Sequence, residues 1–215
     1  MSTPRQLRAR EVLRVLIADD QALVRGAIAS LLDLEPDLEI VSQVGRGDEV
    51  LEAARSTRPD VALLDVEMPG LDGIAVARLL REQVPECRSL IVTTFGRPGY
   101  LRLALEAGAL GFVVKDTPSG QLAAAVRRVA AGDTVVDPAL AAESLVMGAS
   151  PLSARETDVL IALRQGGTTA EVARLLRLSE GTVRNHLSAA IGKTNARNAS
   201  EAARIAAENG WLLTP

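Results

Sequence analysis

Five side chains suited to phosphoryl chemistry close short apolar runs. Asp19 and Asp20 follow Val15-Leu16-Ile17-Ala18, Asp65 follows Val61-Ala62-Leu63-Leu64, Thr93 follows Leu90-Ile91-Val92, and Lys115 follows Phe112-Val113-Val114. Carboxylates gathered in one place repel and raise each other's pKa. A divalent cation relieves this, and Mg2+ takes hard oxygen ligands, usually one or two carboxylates with water and a phosphate oxygen. Asp20 and Asp65 are expected to bind it directly and Asp19 through water, with the backbone carbonyl of Glu67 completing the set. Asp65 can then attack a phosphoryl group and hold it as an aspartyl phosphate. The metal and Lys115 would neutralise the oxygens on which charge develops, and the Thr93 hydroxyl can donate to the finished phosphoryl group. The chain has 22 Arg but only two Lys, Lys115 and Lys193, so a Lys points to a site that wants a compact ammonium.

These residues are useful only if the chain brings them together. Apolar strands 14–18, 38–44, 61–64, 89–93 and 111–114 alternate with helical patterns over about 22–32, 48–56, 72–84, 98–108 and 119–131. That alternation predicts a doubly wound α/β domain with a five-stranded parallel sheet in the order 2-1-3-4-5. The order sets strand one beside strand three, and so Asp19 and Asp20 beside Asp65. Strands four and five then carry Thr93 and Lys115 to the same carboxyl edge. A lone Asp after a strand is ordinarily a turn former or a helix cap. A full set, each member ending its own strand, is not.

The 215 residues suit one large or two small domains, and 47% are apolar against 2% aromatic, so the cores must be Leu, Val, Ile and Ala. Cys87 is alone, which excludes an internal disulfide and fits a reducing cytosol. No apolar run approaches the roughly 20 residues of a membrane span. Residues 1–13 read as a loose, Arg-rich extension with no apolar signal core. Residues 1–150 hold 16 basic and 21 acidic side chains, residues 151–215 hold 8 and 6. The back of the chain is thus only mildly basic, and a nucleic-acid reading needs a motif in addition to charge.

Periodicity fails over 133–151, where Pro138, Gly148 and Pro151 punctuate an Ala-rich linker that has room for a helical turn. Residues 152–215 are purely helical: 154–164, 170–176, 180–193 and 199–208. Ser153 and Glu156 make a capping box, and Ser179 caps the third of these helices. Ala202, Ile205 and Ala206 form the stripe of the last, with Trp211 and Leu212 closing the core. A short helix, a tight turn at Arg177-Leu178 and a polar-faced helix make a helix-turn-helix, whose second helix enters the major groove. Arg184 suits guanine and Asn185 adenine, Ser188 a base edge or phosphate, and Lys193 and Thr182 the DNA backbone. An amphipathic bundle helix with no DNA role fits the periodicity equally well.

Residues 14–132 resemble the receiver domain of bacterial two-component response regulators. The resemblance is carried by Asp19-Asp20, Asp65 with Met68-Pro69-Gly70-Leu71-Asp72-Gly73, Thr93 and Lys115. It implies that Asp65 takes phosphate from a phosphohistidine on a sensor kinase, and that Thr93 and Phe112 form the switch. Thr94-Phe95-Gly96-Arg97-Pro98-Gly99-Tyr100 is similar to the same region of a subgroup paired with membrane-bound kinases. Residues 152–210 resemble the LuxR/FixJ-type DNA-binding domain through Leu152-Ser153, Arg155-Glu156, Glu171-Val172-Ala173, Thr182-Val183-Arg184, His186 and Lys193. Ala190, Thr194-Asn195 and Ala199 depart from that pattern and thin the packing onto the last helix.

The resemblances imply a cytoplasmic transcriptional regulator of the NarL/FixJ kind. Its partners would be a membrane-bound sensor histidine kinase, double-stranded promoter DNA, a second copy on phosphorylation, and RNA polymerase. No enzymatic activity is expected beyond the receiver's own phosphorylation and dephosphorylation. Two alternatives stand beside this reading: a Mg2+-dependent aspartyl-phosphate phosphatase or phosphotransferase, and a regulator controlled by protein contacts without phosphate.

Overall fold

The computed structural model describes residues 12–94, 96, 98–138, 140–142, 150–164 and 166–212. Most of the expected N-terminal extension, the linker stretch 143–149, and Phe95 and Arg97 of the segment 94–100 lie outside them. The chain forms two compact units, one made of the residues up to Gly96 with Ala104–Asp137, the other of Arg97–Leu103 with the residues from Pro138 on.

Up to Asp137 the chain alternates strand and helix: β1 (Leu13–Ala18), α1 (Ala22–Leu32), β2 (Leu38–Val44), α2 (Gly47–Thr57), β3 (Val61–Leu64), α3 (Gly73–Gln83), β4 (Arg88–Thr93), α4 (Pro98–Ala107), β5 (Gly111–Val114), α5 (Ser119–Ala131) and β6 (Val135–Val136). All pairings are parallel and the order is β2-β1-β3-β4-β5-β6. The expected five-strand order is present, with one correction. Val135–Val136, expected to be linker, extends the sheet as a sixth strand beside Gly111–Phe112. A pair of residues is too short to show a period, and what recruits them is the open edge of β5, where Leu110 O accepts from Val135 N at 2.8 Å.

The central strands are apolar throughout because both sheet faces are covered. Val15, Ile17, Val61, Leu63, Leu90 and Val92 pack with Ala29 and Leu32 of α1 and Leu122, Val126 and Val129 of α5. The alternate residues Leu16, Leu64 and Ile91 are equally buried and face the other side by strand alternation. Each such side chain contributes about 1.5–3 kcal/mol when fully buried. Arg127 on α5 forks onto Glu35 and Asp37 of the α1–β2 turn at 2.6–2.7 Å, joining that turn to the helix. Cys87 is buried, and burial pushes its thiol up to about 12.

The strands end level with one another. Ala18 pairs with Leu64, Leu64 with Ile91 and Thr93 with Val114. Asp65 N donates to Ala18 O at 2.9 Å and Lys115 N to Thr93 O at 2.7 Å. The residues that follow the strands therefore emerge on one edge.

The second unit holds a helical residue at Pro138, a helical stretch at 140–142, and four helices: α6 (Ala154–Arg164), α7 (Thr169–Leu176), α8 (Glu180–Thr194) and α9 (Ala199–Glu208). Both expected caps are made: Ser153 and Glu156 exchange the two bonds of a capping box, and Ser179 Oγ accepts from Thr182 N. A further box, Thr168 with Glu171, starts α7. Val159, Val172 and Val183 form one small core. Leu160, Ala190, Ala202, Ala203, Ala206, Ala207 and Leu212 form the other, with Trp211 packed on it. Ala203 and Ala207 take buried places on α9, while Ile205 is only half-buried. Alanines bury little area, so the apolar payload between α8 and α9 is small. Among the described residues no helix is long and apolar enough to cross a membrane.

Candidate functional site

Asp65 leaves β3 with its backbone still bonded to β1, and its side chain turns back into the edge. Oδ1 accepts from Val66 N at 2.8 Å and Oδ2 from Lys115 Nζ at 3.0 Å. Asp19 lies beside it. Its Oδ2 is 2.7 Å from the same Lys115 ammonium and its Oδ1 accepts from Gln21 N at 2.9 Å. Both carboxylates are buried, and Asp20 is exposed at the rim. One oxygen from each of the three lies within 4.8 Å of the others. Three hard anionic oxygens that close, one of them open to solvent, fit a divalent cation.

Burial pushes the Asp65 carboxyl above its ordinary range, and the Lys115 ammonium pulls it down without cancelling the effect. Burial also opposes the charge on Lys115, but its bonds to Asp19 and Asp65 outweigh that and hold the amine above its usual value. The pocket thus keeps an internal cation between two acids.

Thr93 is buried at the end of β4. Phe112 is buried within β5, paired to Ile91, three residues before Lys115. Glu67 is exposed in the β3–α3 loop. That loop ends at Asp72, whose carboxylate caps α3 by accepting from Ile74 N and Ala75 N. Two participants went unnoticed in the sequence. Arg25 on α1 donates to Asp19 O at 2.5 Å, and Gly47 N donates to Pro69 O at 3.0 Å. The helical phase of Arg25, six residues after Asp19, was the available signal for the first. The second depends on tertiary contact and left none.

In the second unit α7 ends in a left-handed residue, Arg177, and α8 begins three residues later. Val183 and Ala190 are fully buried, while Arg184, Asn185 and Ser188 are exposed together on the opposite side. Glu180 reaches Arg184 across one turn at 3.6 Å. Thr182 is half-buried and its hydroxyl bonds to that of Ser179. Lys193, expected at a DNA phosphate, directs its ammonium onto Glu156. The α8 helix ends in Asn195 at φ 53°, with Thr194 Oγ1 bonded back to Ala190 O at 2.8 Å.

Residues 15–127 match the response regulator receiver domain, and residues 150–206 match the bacterial regulatory proteins of the luxR family. The transcriptional regulatory protein YvfU of Bacillus subtilis is 41% identical over 94% of this chain and all of its own length. DesR of the same organism is 39% identical over the same shares. The DNA-binding transcriptional activator DevR/DosR of Mycobacterium tuberculosis is 34% identical over 92% of this chain and 95% of its own. Among solved structures, the response regulator ChrA of a heme-sensing two-component system superposes with a TM-score of 0.56 at 31% identity, covering 93% of this chain and 98% of that one.

Proposed function

The chain belongs to the response regulators that join a receiver domain to a LuxR-type DNA-binding domain, and from that premise we propose that Asp65 is a phosphoacceptor whose loading controls DNA binding by α8. The observation that carries this is the buried Asp65 carboxylate, bridged to Asp19 by Lys115 and within 4.8 Å of both other acids.

Asp19, Asp20 and Asp65, with the Glu67 carbonyl, would hold Mg2+. When bound, the ion neutralises the carboxylates and draws charge from the phosphoryl oxygens. An Asp65 carboxylate oxygen attacks the phosphorus of a phosphohistidine on a sensor kinase. The new O–P bond forms as the N–P bond breaks, and the departing imidazole takes up a proton. Lys115, already at Asp65 Oδ2, turns to the incoming phosphoryl oxygens. Thr93 donates its hydroxyl to the same group, and Phe112 repacks behind it. The work is done on the chain's own side chain, with no turnover of an outside substrate.

The output is two recognition helices about one DNA turn apart, so the loaded form pairs with a second copy. We favour pairing through α1 and α5. Pairing is needed because one mildly basic unit grips phosphate backbone weakly. Arg184 and Asn185 read bases, with Ser188 one turn on. RNA polymerase at a promoter is the partner of the bound dimer. Since phosphohistidine donor and promoter both act in the cytoplasm, that is where the chain would work.

The test is to treat the protein with acetyl phosphate and Mg2+, then follow intact mass, sedimentation and binding to DNA selected from a random pool. The expected result is one phosphoryl group lost in Asp65→Asn, with dimerisation and tighter DNA binding. Phosphate on Asp65 without change in association or affinity would overturn the switch. Arg184→Ala and Asn185→Ala should each cost about 1–3 kcal/mol of discrimination at one base position.

A further inference from the structure

The turn between β2 and α2, with the first two residues of α2, grips the loop that follows Asp65 at consecutive positions. Gly47 N donates to Pro69 O at 3.0 Å. A Cβ on Gly47 would stand 1.9 Å from Leu71 O, so no side chain fits there while the loop keeps its place. Next to it, the Asp48 carboxylate lies against Gly70, where an added Cβ would meet it at 2.5 Å. Arg46 holds that carboxylate in a two-pronged fork at 3.0 and 2.9 Å. Gly70 sits at φ +83°, a left-handed turn that glycine adopts without cost.

The other end of the loop is fixed as tightly. Gly73 N donates to Val66 O at 3.0 Å, and a Cβ on Gly73 would lie 2.0 Å from Asp65 O. Between the anchors at Val66 and Pro69 only Glu67 and Met68 are left, so little chain remains to absorb a shift of either anchor without turning the Glu67 carbonyl. The same turn also reaches the opposite side of the pocket. Gly45 leaves room for the Arg25 guanidinium, 3.4 Å from where its Cβ would be, and that guanidinium holds Asp19 O.

We infer that Arg46-Gly47-Asp48 is a positioning element for the cation pocket, aiming the Glu67 carbonyl by clamping Pro69-Gly70-Leu71 from outside. It acts through the loop and touches neither cation nor phosphate. The inference rests on the reading of Asp65, Asp19 and Asp20 as a Mg2+ pocket.

The full chain is titrated with Mg2+ by calorimetry and phosphorylated by acetyl phosphate across a Mg2+ series. Gly47→Ala should weaken Mg2+ binding about tenfold or more, as loss of outer supports does at metal sites. The extent of phosphorylation should recover as Mg2+ is raised, which a general loss of fold would not allow. Asp48→Ala opens the fork without adding a clash and should weaken binding about two- to fourfold, the scale of an exposed ion pair. It serves in place of Gly47→Ala if that variant does not fold. Val50 is fully buried on α2, and Val50→Ala, which leaves a cavity there, should lower the melting temperature and leave Mg2+ affinity unchanged. Wild-type affinity in both Gly47→Ala and Asp48→Ala overturns the inference, and so does an equal loss in Val50→Ala. Failure of the wild-type protein itself to bind Mg2+ overturns the pocket reading instead.

Discussion

Lys193 Nζ lies 2.8 Å from one oxygen of Glu156 and 2.9 Å from the other, across 37 residues of chain. Glu156 is buried and also accepts from Ser153 N at 2.8 Å, so one carboxylate caps α6 and pins the last turn of α8. Lys193 therefore ties the last turn of α8 to the first turn of α6.

This pair makes the second unit sensitive to acid. Burial works to raise the Glu156 carboxyl, but the bonds from Lys193 and Ser153 overcome it and hold the group below its ordinary 4.5. A depressed folded value means stability that is present above 4.5 and lost as pH falls through the folded value. Glu156→Gln should destabilise the unit at pH 7 by about 1–2 kcal/mol, discounted because the Lys193 side chain is partly exposed. The gap should close below pH 4.5. Trp211, the only tryptophan, packs in this unit, so urea melts followed by its fluorescence report it alone.

Asp65 has the opposite sign. Its carboxyl is raised above 3.8, chiefly by burial, so the stability tied to its protonated form is full below 3.8 and lost as pH rises through the folded value. Asp65→Asn should thus stabilise the cation-free receiver at pH 7, on the order of 1 kcal/mol, with the advantage vanishing toward pH 4. Thermal melts by circular dichroism between those limits check it. A variant less stable than wild type at pH 7 contradicts the burial account.

Lys115 Nζ lies 2.7 Å from Asp19 Oδ2 and 3.0 Å from Asp65 Oδ2, so a divalent cation entering among these acids would meet a positive charge already on two of them. Lys115→Ala should therefore bind Mg2+ more tightly, by roughly three- to tenfold, while phosphorylation slows about a hundredfold for want of the charge facing the transferring group. Calorimetry and acetyl phosphate kinetics separate the two effects. Weaker Mg2+ binding would show that the ammonium supports the acids' geometry more than it competes.

Asn195 ends α8 in the left-handed region, at φ 53°. Asn195→Gly should be neutral or stabilising, and Asn195→Ala should cost about 1 kcal/mol. Urea melts of the two variants, again through Trp211, give the comparison.

The places of the strand-end residues were legible because each is written locally: an apolar run, then a polar residue. Parallel order did the rest, bringing Asp19 to Asp65 and Thr93 to Lys115. The same local logic found the caps at Ser153 and Ser179. What escaped depends on groups distant in sequence. Nothing near Lys193 announces Glu156, nothing near Gly47 announces Pro69, and β6 exists only because β5 offers an edge. The Thr168–Glu171 box was a local signal passed over, since the helix was expected to begin at Ala170.

Cys87 is the only sulfhydryl of the chain, sealed from solvent and held protonated far above neutral pH. Maleimide chemistry will pass it by, because the thiolate is the reactive form. Ser200→Cys, on exposed α9 surface outside the residues proposed to meet DNA, would then be the sole point of dye attachment, with no native residue to remove first. Fluorescence from that one spot would follow the second unit onto DNA, molecule by molecule, in an otherwise unaltered protein.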